Sequence, residues 1–388
     1  MNKKFSSFPI LFALLVLLIG TCAVVFPASA QAAPTSTGSI TVNGSVARSY
    51  DAYQIFSANV IDDDNDTKIA TDLAWANDAA RDAVLPVLHS AGMPSSQTTA
   101  QEAAEWLNAD SHLTSALSAQ LARSLQSSGA VSVALNAGTA AELPCGYWLI
   151  VADDDAIALN EVGTVPIMVL VGGSAVTVKP KAATPKVAKH VLEDSTAAWG
   201  KAADATVADD LYWRLSATVP AGLSAYDAYS VQFVDTMSAG LDPSKVTSSM
   251  RVYVAAGAEG GFDAVPAGKD GRAGTEPAKG WTDITAQCVT KVAADGTFTV
   301  HTGDLVAALG GADAFAAGAR VVAVYNAPLT SGCNHGIAKG NPNEVYLRYP
   351  RSPFADQSGD AGFTRTPSDD ATAYTWDLAL TKRGSDGD

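Results

Sequence analysis

The sequence predicts a mainly β protein of tandem β-sandwich domains, the first carrying helical insertions. Three observations predict it. Short runs rich in β-branched and aromatic residues recur along the chain, with Gly- and Pro-bearing turns between them. One region in the first half changes to helical spacing. Beyond residue 184 the helical spacing disappears, and Leu211, Trp213, Leu215, Ala217 and Val219 alternate with Tyr212, Arg214, Ser216 and Thr218. At 388 residues the chain is long enough for two or three domains.

The elements follow in order. Gly38 to Val46 and Tyr50 to Val60 read as strands by composition. In the helical region, Thr99 and Glu102 have capping-box spacing. Leu113, Leu117, Leu121 and Leu125 form an i, i+4 stripe that Gly129 ends. Strands resume at Val131 to Leu135, Tyr147 to Ala152, Val165 to Val171 and Ala175 to Val178. These bound a first domain at residues 31–180, a β-sandwich with helices. The joint KPKAATPK, Lys179 to Lys186, leads to a second domain at 184–374. There Leu211 to Val219, Thr297 to His301, Arg320 to Tyr325 and Glu344 to Tyr349 read as strands of an all-β, immunoglobulin-like sandwich. Gly257 to Gly280 reads as an exposed Gly-rich loop.

Charge and the N-terminus restrict function. With 40 acidic against 25 basic residues the net charge is −15. A field of that sign repels phosphate backbones and anionic lipid, so nucleic acid is excluded as a partner and membrane-surface binding is disfavoured. Lys3 and Lys4 precede an uncharged apolar run from Phe8 to Phe26, and Ala28-Ser29-Ala30 gives a small-x-small cleavage site. This is a signal peptide over residues 1–30, and the alternative is an uncleaved anchor. Cys22 follows Thr21, which does not fit a lipoprotein signal. The protein is therefore expected outside the cell.

Catalytic and metal signatures are missing. HExxH, GxSxG, GxxxxGK[ST] and GxGxxG after a strand do not occur. Asp62, Asp64 and Asp66 have calcium-loop spacing, but Thr67 and Leu73 stand where Gly and Glu are required, so a solvated acidic turn is expected. No metal and no cofactor is expected. Cys145, Cys288 and Cys333 include no CxxC pair. Cys288 and Cys333 either pair as a disulfide after export or remain two buried thiols, leaving Cys145 over.

Strand parity supplies the strongest internal signal, because alternate residues share a face. Lys189 is in phase with Val187 and Val191, Asp235 with Val231 and Phe233, and Asn343 with Val345, Leu347 and Tyr349. An inward Lys and Asp need a partner or neutralisation. One reading is a buried salt bridge with a hydrogen-bonded amide. The other is chemistry: desolvation lowers the Lys pKa and raises that of Asp, leaving a neutral amine beside an amide polarised by a protonated acid. Attack and loss of ammonia would give a Lys–Asn isopeptide bond.

Taken together, the segments GSITVNGS, YDAYQIF, LPCGYWLI, VTVKPKAATPKVAKHV, YSVQFVDTMSAGL and GNPNEVYLRY resemble the sortase-assembled backbone pilins of Gram-positive bacteria, the isopeptide-forming fimbrial family. The resemblance implies a structural subunit of a covalent cell-surface pilus that supports adhesion, not an enzyme. By motif, it implies that Lys189 bonds Asn343 with Asp235 as the assisting acid. Asn341 is the fallback partner, expected in the turn before Pro342. It also implies that Lys181, in VTVKPKA, is the pilin-motif lysine that attacks a sortase-bound Thr of the next subunit, although composition alone reads it as a linker lysine. The implied partners are neighbouring pilin subunits, a pilus-specific sortase and host surface ligands. Gln54 stands where relatives often carry Lys, so no isopeptide bond is expected in the first domain. TWDLALTKRGSDGD, with Lys382, looks like the first strand of a third domain (375–388), so the sequence is expected to be truncated and to lack its own wall anchor. The alternative function is a wall-anchored adhesin or pilus tip protein that binds host matrix or glycans.

Overall fold

A computed structural model describes residues 36–43, 49–62, 68–109, 112–153, 160–180, 184–207, 209–221, 223, 225–257, 280–353, 355, 357 and 359–377. The expected signal peptide, Asp64 and Asp66, Lys181, most of the Gly-rich stretch, and Lys382 lie outside these residues. The chain forms two compact units. One takes residues up to 113 with 120–151 and 167–179, and the other takes 114–119, 152–166 and residues from 180 onward.

The first unit contains β1 (Thr37–Val42), β2 (Ser49–Asp62), β3 (Lys68–Trp75), α1 (Asp78–Ser90), α2 (Ala100–Asn108) and most of α3 (Ser115–Ser127). β4 (Val133–Asn136), β5 (Ala140–Pro144), β6 (Gly146–Ala152), β7 (Ile167–Val171) and β8 (Val176–Val178) follow. One sheet has the order β5-β1-β8, and β8 runs parallel to β1. The other has the order β3-β2-β6-β7, with β4 also on β2. The capping box of α2 forms: the Thr99 hydroxyl accepts from the Glu102 N–H, and Glu102 Oε2 accepts from the Thr99 N–H at 2.9 Å. Leu117, Leu121 and Leu125 are buried along α3. Leu113 lies outside the helix, because Thr114 Oγ1 accepts from the Leu117 N–H at 3.1 Å and starts it there. Gly146 is required as glycine: its φ is +141°, and a Cβ there would meet the Phe56 carbonyl oxygen at 2.0 Å.

The second unit opens with β9 (Lys186–Glu193), β10 (Ala198–Gly200), β11 (Ala202–Asp204), β12 (Tyr212–Val219) and β13 (Gln232–Met237). Then come α4 (Val246–Ser249), β14 (Arg251–Ala256), β15 (Thr282–Asp283), β16 (Val289–Val292), β17 (Thr297–His301), α5 (Leu305–Ala308) and α6 (Ala312–Ala316). It closes with β18 (Ala319–Asn326), β19 (Asn341–Pro350), β20 (Phe363–Arg365) and β21 (Asp369–Tyr374). Two sheets result, in the orders β10-β9-β12-β18-β14-β15 and β11-β21-β19-β13-β17-β16, with β20 on β19. The neighbours β12 and β18, and β13 and β19, are distant in sequence, so long connections cross between the sheets. Inward residues of both sheets meet in one core, with Trp213, Leu215, Ala323 and Tyr325 on one side and Phe233, Phe298, Val345 and Leu347 on the other. This is a β-sandwich, and the protein is mainly β as the sequence predicts. Three short helices, α4, α5 and α6, are added to the strands of the expected all-β domain. Their buried Val246, Leu305 and Phe315 fill the core at the ends of strands.

Candidate cross-link site in the second unit

Alternation places the three polar residues. In β19 every second residue from Asn341 to Tyr349 is buried, while Pro342 and Glu344 are exposed. Asn343 therefore faces the core with Val345 and Leu347. On the neighbouring β13, Asp235 faces the core with Phe233, and on β9 of the opposite sheet Lys189 does so with Val191. Lys189, Asp235 and Asn343 are each 0% exposed, so any charge among them is removed from bulk solvent.

A fourth residue joins them. Tyr325, from β18 in the same sheet as Lys189, presents its hydroxyl to all three. That oxygen accepts from Lys189 Nζ at 3.0 Å and from Asn343 Nδ2 at 2.8 Å. Its own proton is donated to Asp235 Oδ2 at 3.1 Å. Lys189 Nζ also donates to Asp235 Oδ2 as an ion pair. The amine lies over the Trp213 and Tyr325 rings, 5.6 and 5.5 Å from their centroids. Asp235 Oδ1 and Asn343 Oδ1 have no hydrogen-bond partner among the described residues.

Burial moves the two charges toward neutrality. It pushes the Lys189 ammonium down to about 8, against the pull of Asp235. It raises the Asp235 carboxyl, against Lys189 and the Tyr325 hydrogen bond. Burial, with the Asp235 charge, also raises the Tyr325 phenol well above its ordinary value. A neutral amine beside a protonated carboxyl is favoured by the same desolvation that makes the ion pair costly.

Backbone placement of Lys189 depends on another side chain. Lys189 pairs with Leu215 of β12 on one edge, whereas β10 reaches only residues 191 to 193 on the other. There Asp369 Oδ2, from β21, accepts the Lys189 N–H at 2.7 Å. Asp369 is itself held by Lys201 Nζ, which also donates to the Asp370 carbonyl at 3.0 Å.

The remaining candidates separate from this cluster. Asn341 is buried at the first position of β19, which corrects the expectation that it lies in the turn. Its Nδ2 donates to the Asn334 and Ala373 carbonyls at 3.0 and 3.3 Å, and its Oδ1 accepts from the Asn334 N–H. Gly240 lets the amide in, since a Cβ there would meet Asn341 Oδ1 at 2.1 Å. The Cys288–Cys333 disulfide is not formed. Cys145, Cys288 and Cys333 are all free thiols. Cys288 Sγ instead donates to the Ile284 carbonyl at 3.2 Å, while Cys333 packs by the Gly240 turn. Gln54 Nε2 donates to the Cys145 carbonyl at 3.1 Å. Beside the undescribed Lys181, Thr177 and Lys179 are exposed and Val178 is buried. Among the described residues, no three His, Cys, Asp or Glu side chains gather as a metal site, and no helix is long and apolar enough to cross a membrane.

Sequence reasoning missed Tyr325. Its phase with Val321 and Ala323 reads as ordinary core, and the usable signal was that a buried phenol needs a polar partner.

Comparison with known proteins gives structural likeness only. No protein-family model and no curated protein matches the chain. The T6 backbone pilin of Streptococcus pyogenes is similar at 14% identity over 87% of this chain and 64% of that chain, with a TM-score of 0.48. The major pilin SpaD of Corynebacterium diphtheriae is similar at 15% identity over 88% and 66%, with a TM-score of 0.41. The RrgB pilus protein of Streptococcus pneumoniae is similar at 15% over 83% and 50%, with a TM-score of 0.37. The chain thus spans at most two thirds of each of these pilins.

Proposed function

We propose that this chain is a structural subunit of a covalently polymerised cell-surface pilus, stiffened by an isopeptide bond that its second unit forms autocatalytically. The observation that carries the reading is the buried convergence of Lys189, Asp235 and Asn343 on the Tyr325 hydroxyl between the two sheets. The neutral Lys189 amine attacks the Asn343 side-chain carbonyl carbon. Asp235, protonated, donates to the carbonyl oxygen as charge develops there, and recovers its proton when the intermediate collapses. The C–Nδ2 bond breaks and ammonia leaves. An amine and an amide become a new amide, and no cofactor takes part.

The product suits a subunit under tension. Lys189 lies on one sheet and Asn343 on the other, so the bond staples the sandwich across its core. It closes a loop of about 150 residues, which by loop entropy is worth about 5 kcal/mol. The joint lysine Lys181 is the nucleophile offered to a pilus-specific sortase, with neighbouring pilin subunits as partners and adhesion to host surfaces as the outcome. The enzyme in that step is the sortase, and this chain is its substrate.

Intact mass tests the internal bond. The full chain is expected to be one ammonia lighter than its sequence after signal-peptide removal, and a tryptic digest is expected to contain a Lys189–Asn343 branched peptide. Asp235→Ala restores the lost ammonia. A wild-type chain of full mass contradicts the reading, and a branch at Asn341 reassigns the partner.

A further inference from the structure

We propose that Tyr325 is a catalytic residue of the cross-linking reaction, a proton relay between the attacking amine and the departing ammonia. The inference rests on the Lys189–Asn343 reading above and goes beyond it, because the bond could form with Asp235 as the one acid. Two facts about protons motivate it. Once Lys189 Nζ has bonded to the Asn343 carbon, that nitrogen carries one proton too many. Asn343 Nδ2, as an NH₂ group, carries one too few to leave as ammonia. Among the described residues, the Tyr325 hydroxyl is the oxygen hydrogen-bonded to both nitrogens, 3.0 Å from one and 2.8 Å from the other. Both are hydrogen-bond distances, so neither transfer requires movement of the chain.

The relay balances. The phenol oxygen receives a proton from Lys189 Nζ while its own proton passes to Asn343 Nδ2, so the phenol ends as it began. Nδ2 takes the electron pair of the breaking C–N bond and leaves as ammonia. Asp235 is then free for the carbonyl oxygen: its Oδ1 and Asn343 Oδ1 are the two atoms of the cluster without a hydrogen-bond partner among the described residues, and a proton on the first would serve the second as charge develops. Before reaction the phenol proton rests on Asp235 Oδ2, at 3.1 Å, and a rotation about the C–O bond redirects it to Nδ2. Burial holds Tyr325 as a neutral phenol, suited to take and give a proton together rather than to act as a phenolate base. Phe298, edge-on to the ring with centroids 4.8 Å apart, helps fix its plane.

The experiment follows cross-linking in the full chain after cell-free synthesis, with the branched peptide quantified against time. Tyr325→Phe is expected to slow bond formation by about 10²-fold, the lower range for general acid–base catalysis. A fluorinated tyrosine placed at 325 keeps nearly the same shape and makes the phenol more acidic, so its rate is expected to shift several-fold. A role in packing or positioning alone would leave that rate unchanged. Asp235→Ala and Asp235→Ala/Tyr325→Phe, neither of which can cross-link, report by thermal unfolding whether the Phe side chain is tolerated. If the wild type forms the bond but the fluorinated chain does so at the wild-type rate, Tyr325 is no relay, whatever Tyr325→Phe does. If the wild type never loses ammonia, the isopeptide reading itself fails and the relay fails with it.

Discussion

Asp235 and Asn343 stand on adjacent antiparallel strands, two positions out of register: Asp235 lies opposite Val345, and Asn343 opposite Met237. Because the offset is even, both side chains leave the same face of the sheet, as diagonal neighbours. Each keeps one oxygen without a hydrogen bond among the described residues, and both residues are 0% exposed. Such orphaned atoms are costly in a finished core, and they fit a core that is completed by a reaction.

The rate of that reaction is expected to depend on pH through Lys189. Burial pushes its ammonium down to about 8, and only the neutral amine attacks. Bond formation after cell-free synthesis therefore accelerates as pH rises from neutral toward about 8. Quantifying the branched peptide over that interval checks this, and a rate that falls there contradicts it.

Asp369 gives the uncross-linked fold a separate pH dependence. Partial burial tends to raise its carboxyl, but bonds from Lys201 and the Lys189 N–H outweigh this and hold it below the ordinary value. A lowered folded-state pKa means that the stabilisation is present above the unfolded value and is lost as pH falls through the folded one. In the Asp235→Ala background, thermal stability is expected to drop through the acid range, and adding Asp369→Asn to flatten that drop. Identical acid profiles would remove Asp369 from the account.

Gly240→Ala is expected to destabilise the second unit by about 1–3 kcal/mol, the usual cost of overpacking. The new methyl would press on Asn341 Oδ1 and on the backbone at Cys333. Asn341 cannot retreat without giving up its bonds to Asn334 and Ala373. Denaturant unfolding of the full chain measures the loss.

Lys181 is the residue on which polymerisation is expected to turn. Co-expressed with a pilus-specific sortase and a pilin bearing a sorting signal, the chain is expected to yield a branched peptide that joins a Thr carboxyl to Lys181. Lys181→Ala abolishes it. A branch at Lys179 or Lys186 moves the assignment, and the absence of any joint branch favours the adhesin alternative.

Local pattern alone revealed the mainly β class, the capping box of Thr99 and Glu102, and the faces on which Lys189, Asp235 and Asn343 lie. These depend on short-range rules: a strand has period two, and a cap reaches three residues. Tertiary pairing decided the rest. Asn341 and Asn343 have the same parity, and the motif and Pro342 favoured Asn343; what neither supplied was their neighbours, Asn334 and Ala373 for Asn341 and Tyr325 for Asn343. Cys288 and Cys333 looked equally able to pair or stay apart, because the separation of two thiols is a property of the folded chain. Tyr325 became visible as part of the site only when β18 was laid beside β12, which brings a residue 136 positions from Lys189 to within hydrogen-bond reach. Periodicity specifies which side of a strand is dry, but the neighbours found there are set by which strands meet across the core.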